Sequence, residues 1–240
     1  MSHGARWIVD AFQLFRRQIF AWVLVHLGLM LVALGCAALK TVGMLIFLLL
    51  LPVFMGGLMS ACREQERGQV VEIGHLFLGF RKHTTPLVTV GGLHLVGQVL
   101  ISGVAMWLGG DALQELLRAA AQGTSPSAID PTVANRASLA MLVGLALVTP
   151  LAMAVWFAPA LIVLEAVTAW RALGLSLRAC VLNVLPFLVY GVAMTGLLML
   201  ALLSYMVGMV LWLPLATLTV YTGFRDILGA SSAPGPVATG

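Results

Sequence analysis

Charge is what this sequence has least of. Asp, Glu, Lys and Arg make up 9% of its 240 residues and hydrophobic residues 61%, against about 25% charged in soluble domains. The uncharged runs are too long for a water-soluble core, so the chain reads as an integral membrane protein. Like charges never gather in a block of five or six, and no basic strand is interleaved with aromatics. The net charge of +4 therefore points to membrane orientation, with no nucleic-acid partner expected. The three cysteines, Cys36, Cys62 and Cys180, lie far apart without CxxC spacing, which indicates neither a disulfide framework nor a zinc site. There is no GxSxG, HExxH or Walker lysine, and no carboxylate pair beside a cleft-forming glycine loop. No enzyme activity, metal or cofactor is expected.

What is present is apolar helix. A hydrocarbon core of about 30 Å needs about 20 helical residues, and uncharged runs of that order fall at 18–39, 42–61, 86–108, 137–164, 184–203 and 206–224. The last two share one uncharged stretch, with a turn expected near Ser204–Gly208. These predict an all-α membrane protein whose six transmembrane helices form one domain over residues 1–228. Arg16-Arg17 ahead of an apolar run ending at Cys36 loosely matches a lipoprotein signal peptide. The next apolar run follows almost at once, and the residues before Cys36 stand in an unusual order for that signal.

Orientation follows from the basic residues. With the N-terminus inside, six spans place Arg6, Arg16, Arg17, Arg63, Arg67, Arg81, Lys82, Arg171, Arg178 and Arg225 on the inner side. Lys40, Arg118 and Arg136 fall outside, so the 13 Lys and Arg divide ten to three. The positive-inside rule then makes both termini cytoplasmic. Outside, Gly109–Arg136 is the one sizeable loop, and Asp111 reads as the N-cap of a short helix. "GTSPSAIDP" (Gly123–Pro131) is turn chemistry, and the tail at 229–240 is too rich in Gly, Pro and Ser to fold. His75 and His83 flank the inner interface and are expected to be solvated.

One device recurs. Aligning "AFQLFRRQ", "LFLGFRKH" and "LGLSLRAC" puts Arg16, Arg81 and Arg178 in one column, each after a short apolar segment and shortly before a span. Each segment fits an amphipathic helix at the inner interface whose arginine reaches the headgroups. Pro52 and Pro214 are each followed eleven residues later by an Arg-acid pair, Arg63-Glu64 and Arg225-Asp226. Pro150 and Pro159 break the fourth span less regularly. Three helical hairpins, each preceded by an interfacial helix, is the simplest account.

"LFLGFRKHTTPLVTVGGLHLVG" (Leu76–Gly97), "WFAPALIVLEAVTAWRALGLSLRACVLNVLPFLVYG" (Trp156–Gly191) and "YTGFRDIL" (Tyr221–Leu228) resemble the recurring blocks of an uncharacterised family of six-span inner-membrane proteins of Gram-negative bacteria. More distantly the pattern is similar to membrane domains attached to some glycerophosphodiester phosphodiesterases. The resemblance implies a fold and a location but no activity, and the phosphodiesterase catalytic domain has no counterpart here.

Within the spans, His26 and His94 are the only deep ionisable residues, each about 12 Å from the inner interface at 1.5 Å per residue. His94 and Gln98 share a helix face. Asn183, before Pro186, suits a cap or a carbonyl freed where proline breaks the ladder. These four residues form a candidate intramembrane polar site. The alternative for the histidines is interhelical hydrogen bonding in the neutral state. Met55 with Met59 and Met206 with Met209 share faces, though methionine is ordinary filler in apolar spans. Gly56-xxx-Ser60 and Gly57-xxx-Ala61 allow close helix approach. Most tryptophans sit near span ends, with Trp22 the exception.

Two functions are compatible with this pattern. The first is a non-enzymatic membrane component that organises lipids or partner proteins, with Arg16, Arg81 and Arg178 as headgroup anchors. Its partners would be the bilayer, with anionic lipids as candidate ligands, and a membrane protein or a second copy. The second is a transporter or channel for a small neutral or apolar solute, its path lined by His26, His94, Gln98 and Asn183.

Overall fold

The computed structural model describes residues 3–123, 130–204 and 207–229. The turn expected at Ser204–Gly208 and the Gly123–Pro131 loop are described only at their edges, and the tail beyond residue 229 lies outside the described residues. The elements are α1 (His3–Phe15), α2 (Ile19–Ala38), α3 (Lys40–Glu66), a 3-10 turn (Ile73–Phe77), α4 (Gly79–Lys82), α5 (Thr84–Ala121), α6 (Pro131–Trp156), α7 (Ala158–Glu165), α8 (Ala169–Leu182), α9 (Val184–Leu203) and α10 (Met209–Ile227). No strand occurs among the described residues. Among the described residues, five segments are long and apolar enough to cross a membrane: α2, α3, α5, α6 with α7, and α9. The sixth expected span coincides with α10, which is helical throughout but carries Thr217, Thr219, Thr222 and the Arg225-Asp226 pair. All-α membrane architecture with five such segments is thus established.

The chain divides into two units, Met1–Gly91 with Ala154–Gly240, and Gly92–Met153. In the first, α3 packs on α2, α7, α10 and the 3-10 turn, while α1 lies on α9 and α10. Helix α1 buries Gly4, Trp7, Ala11 and Leu14, a stripe at i, i+3 and i+4 spacing. That stripe faces protein: Trp7 meets Phe187 edge-on at 5.1 Å and Tyr190 at 5.8 Å. The apolar face expected to rest in the interface is therefore largely spent on α9 and α10, although Phe12 remains 54% exposed.

The segment before the third span is shorter than a full amphipathic helix. It is the 3-10 turn followed by four-residue α4, held on α3 by Phe54 against Phe77 and Phe80 at 6.2 and 5.3 Å. Gly57 permits this docking, because a Cβ there would collide with the backbone carbonyls of His75 and Leu76. The expected small-residue pairs on α3 are thus filled in part from within the same chain.

Proline acts unevenly. Pro52, Pro150 and Pro214 lie inside continuous helices, whereas Pro159 stands in the first turn of α7 and separates it from α6. At that break the Phe157 N–H donates to Ser176 Oγ at 2.9 Å, so α8 satisfies a group that the lost helical ladder would have held.

In the second unit α5 and α6 run antiparallel, with Gly97 against Leu151, Gly144 against Ala105 and Gly109 against Ala140. Gly110 interrupts α5 at φ 51°, a conformation glycine adopts without a Cβ penalty. Arg136 Nε donates to the Leu108 carbonyl at 3.1 Å beside this break. Beyond the break the chain is helical from Asp111 to Ala121, as the sequence predicts for this segment.

Candidate functional site

The helix ends of the first unit gather a charged cluster. Helix α3 ends on Arg63, Glu64, Gln65 and Glu66, and each side chain reaches a different neighbour. Arg63 donates to the Leu164 carbonyl at 2.8 Å and to Glu165 at 3.1 Å. It thereby closes the end of α7, where Ala166 at φ 52° stops the helix. Glu66 accepts from Tyr221 Oη at 2.7 Å and from the Arg225 guanidinium, which also reaches Asp10 at 3.3 Å. The two arginines that follow Pro52 and Pro214 therefore both tie neighbouring helices through acids. The proline spacing exposed those arginines in the sequence, but nothing there marked Glu66, Tyr221 and Asp10 as partners.

His75 corrects an expectation. It is buried: Nε2 donates to Glu64 at 2.7 Å and Nδ1 accepts the Glu72 N–H at 2.9 Å. The apolar packing of the 3-10 turn on α3 draws the imidazole away from water. At the other end of the cluster, Asp226 accepts Trp7 Nε1 at 2.8 Å and lies 3.0 Å from His3 Nδ1. Partial burial would raise this carboxyl. Hydrogen bonds from Trp7 and His3, with the charges of His3 and Arg6, outweigh it and hold Asp226 below its ordinary value.

Trp22, in the first turn of α2, is fully buried and donates to Gln65 Oε1 at 2.9 Å. The Gln65 amide then donates to the Leu14 carbonyl at 2.8 Å, so one glutamine joins α1, α2 and α3. A turn above Trp22, His26 contacts the Trp22 carbonyl through Nδ1 and Thr217 Oγ1 through Nε2, both at 2.9 Å. A carbonyl only accepts, so Nδ1 carries the proton and the neutral ring's Nε2 accepts the Thr217 hydroxyl. His26 also borders a cavity of about 150 Å³ whose other walls, including Leu27, Met30, Met209 and Leu213, are apolar.

The remaining candidates are dispersed. His94 is half-buried and its Nδ1 is enclosed without a partner among the described residues, while Gln98, one turn on, is exposed. Asn183 makes no N-cap bond; its amide donates to the Ala179 carbonyl at 2.9 Å. That carbonyl is freed by the end of α8, where the Asn183 N–H bonds Cys180 instead, and not by Pro186. Asn183 is thus a joint between α8 and α9. Arg16, Arg81 and Arg178 are all exposed, and none has a side-chain partner among the described residues. Burial pushes the Cys180 thiol up to about 11 against a hydrogen bond from Ser176, which keeps it protonated.

Thr217, Gln65, Glu66 and Tyr221 were missed from sequence. For Thr217 and Tyr221 the available signal was the polar side chains concentrated in α10, which lower its hydropathy and mark it as facing protein.

No family model matches the chain, and no solved structure is similar to it. No match links it to the phosphodiesterase-attached membrane domains. A probable inner membrane protein of Burkholderia thailandensis is 32% identical over 193 residues, covering 78% of this chain and 70% of the relative. Together with five membrane-length apolar segments, that similarity makes this a multi-pass inner-membrane protein, and the chain belongs to the family of that Burkholderia protein.

Proposed function

We propose that the protein is a non-enzymatic component of the inner membrane that organises anionic lipids or partner proteins at its cytoplasmic face. In this reading α10 is the sixth span, the spans form three hairpins, and α1, the 3-10 turn with α4, and α8 lie at headgroup depth. The observation that carries it is the exposure of Arg16, Arg81 and Arg178 without acidic partners, whereas Arg63 and Arg225 are spent on acids of neighbouring helices. Cations with no intramolecular role, each at the foot of an apolar helix, suit phosphate headgroups. Both termini are cytoplasmic in this arrangement, as the ten-to-three division of basic residues favours.

The test is lipid retention by the full chain when Arg81→Ala is combined with Arg178→Ala. Selective loss of anionic lipid is expected. Unchanged retention by a folded variant would count against the organising role.

A second reading, passage of a small neutral or apolar solute, is favoured by the cavity beside His26 and by the unpartnered His94 Nδ1. Its test is flux through reconstituted vesicles, which His94→Ala or His26→Ala should abolish if such a path exists.

A further inference from the structure

A second feature of the charged face is a cavity of about 280 Å³ between the end of α3, the segment Leu78–His83 and the end of α7. Its charged lining is Arg63, Glu64, Arg67 and Lys82, with His83 beside them. Glu64 is already bonded to His75 and Arg63 to Leu164 and Glu165. Arg67 and Lys82 are left exposed, with no side-chain partner among the described residues. The cavity lining thus carries three cations against one acid, Glu64, and two of those cations, Arg67 and Lys82, are unpartnered among the described residues. Its apolar lining is Leu78, Val163 and Leu164. In the neighbouring cavity that Arg67 also lines, two acids, Glu66 and Glu165, stand against three arginines, so the excess of positive charge is smaller there.

We propose that this cavity is a binding site for a phosphodiester headgroup of an anionic phospholipid, with Arg67 and Lys82 on the phosphate and Leu78, Val163 and Leu164 against the glycerol and first methylenes. A guanidinium supplies paired donors to phosphate oxygens and an ammonium a point charge. Their convergence above an apolar wall matches an amphiphile better than a free anion. The site rests on placing this face at headgroup depth. It is distinct from the three exposed arginines, which could hold a lipid annulus with this cavity empty.

The experiment uses the full chain in neutral detergent, titrated separately with short-chain phosphatidylglycerol, short-chain phosphatidylcholine and inorganic phosphate, and reads the rise in unfolding temperature with ligand. Phosphatidylglycerol is expected to stabilise the protein and phosphatidylcholine to do so weakly. Arg67→Gln with Lys82→Gln should weaken the phosphatidylglycerol effect about tenfold or more in apparent affinity, as loss of charge-assisted hydrogen bonds predicts. Both side chains are exposed and unpartnered, so the variant should fold; retained helical circular dichroism checks this, and Arg67→Lys with Lys82→Arg should restore binding. Stabilisation by inorganic phosphate alone, lost in the same variant, would assign the cations to a soluble phosphate and overturn the lipid. Phosphatidylglycerol binding that survives in the Arg67/Lys82 variant but fails when Arg16, Arg81 and Arg178 are changed to Gln would overturn the cavity and leave the organising role standing. No stabilisation by any of the three ligands would overturn the site outright.

Discussion

Gln65 ties α3 to α1 and α2, and Thr217 ties α10 to α2. Changing Gln65 to Leu strands the Trp22 indole N–H and takes one of two donors from the Leu14 carbonyl, which keeps the Arg17 N–H. An unpaired buried group costs about 1–3 kcal/mol, so Gln65→Leu should lower stability by at least that much despite adding apolar surface. Thr217→Val leaves His26 Nε2 without its donor and should cost less, about 0.6–1.7 kcal/mol, the range of side-chain hydrogen bonds between membrane helices. Denaturation in mild detergent measures both, and a neutral Gln65→Leu would refute the ordering. Asp226 adds a pH dependence. Its carboxyl is held low in the folded protein, so its contribution is present above the unfolded value of about 3.9. That contribution disappears as pH falls through the lower folded value. Acidification below about pH 4 should therefore loosen α1, read as a change in Trp7 fluorescence. Asp226→Asn should remove that pH dependence.

At the scale of elements, close approach rather than helix propensity decides the packing. Gly57→Ala would drive a Cβ into the backbone of the 3-10 turn, whereas Gly74→Ala meets open space. The first should destabilise by about 1–3 kcal/mol, as overpacking does, and the second should be near neutral in thermal unfolding. The apolar runs, the Arg-bearing segments ahead of spans and the break at Pro159 were legible in sequence because each rests on local periodicity or backbone chemistry. The exact fate of the interfacial segments was not. Whether the Trp7–Leu14 stripe meets bilayer or protein depends on Phe187 and Tyr190, more than 170 residues away. His75 was misread for the same reason: its partner Glu64 lies eleven residues back, across a turn that hydrophobicity alone does not define. Of the candidate polar site, the burial of His26 was legible, but its partner Thr217 was hidden 191 residues away in a helix rich in similar threonines.

For the whole molecule, the division of basic residues makes a prediction independent of any lipid. Single cysteines introduced near Arg171 in a cysteine-free background should be labelled only from the cytoplasmic side, and those near Arg118 only from the outer side; the reverse would invert the topology. Function turns on what the exposed cations hold. The most direct measurement is native mass spectrometry of the protein released in a patch of its own membrane, which reports mass, bound lipids and partner proteins together. A selectively retained anionic lipid or a reproducible membrane-protein partner is the predicted result. A lone chain carrying lipids only in the proportions of the surrounding membrane would contradict the organising role.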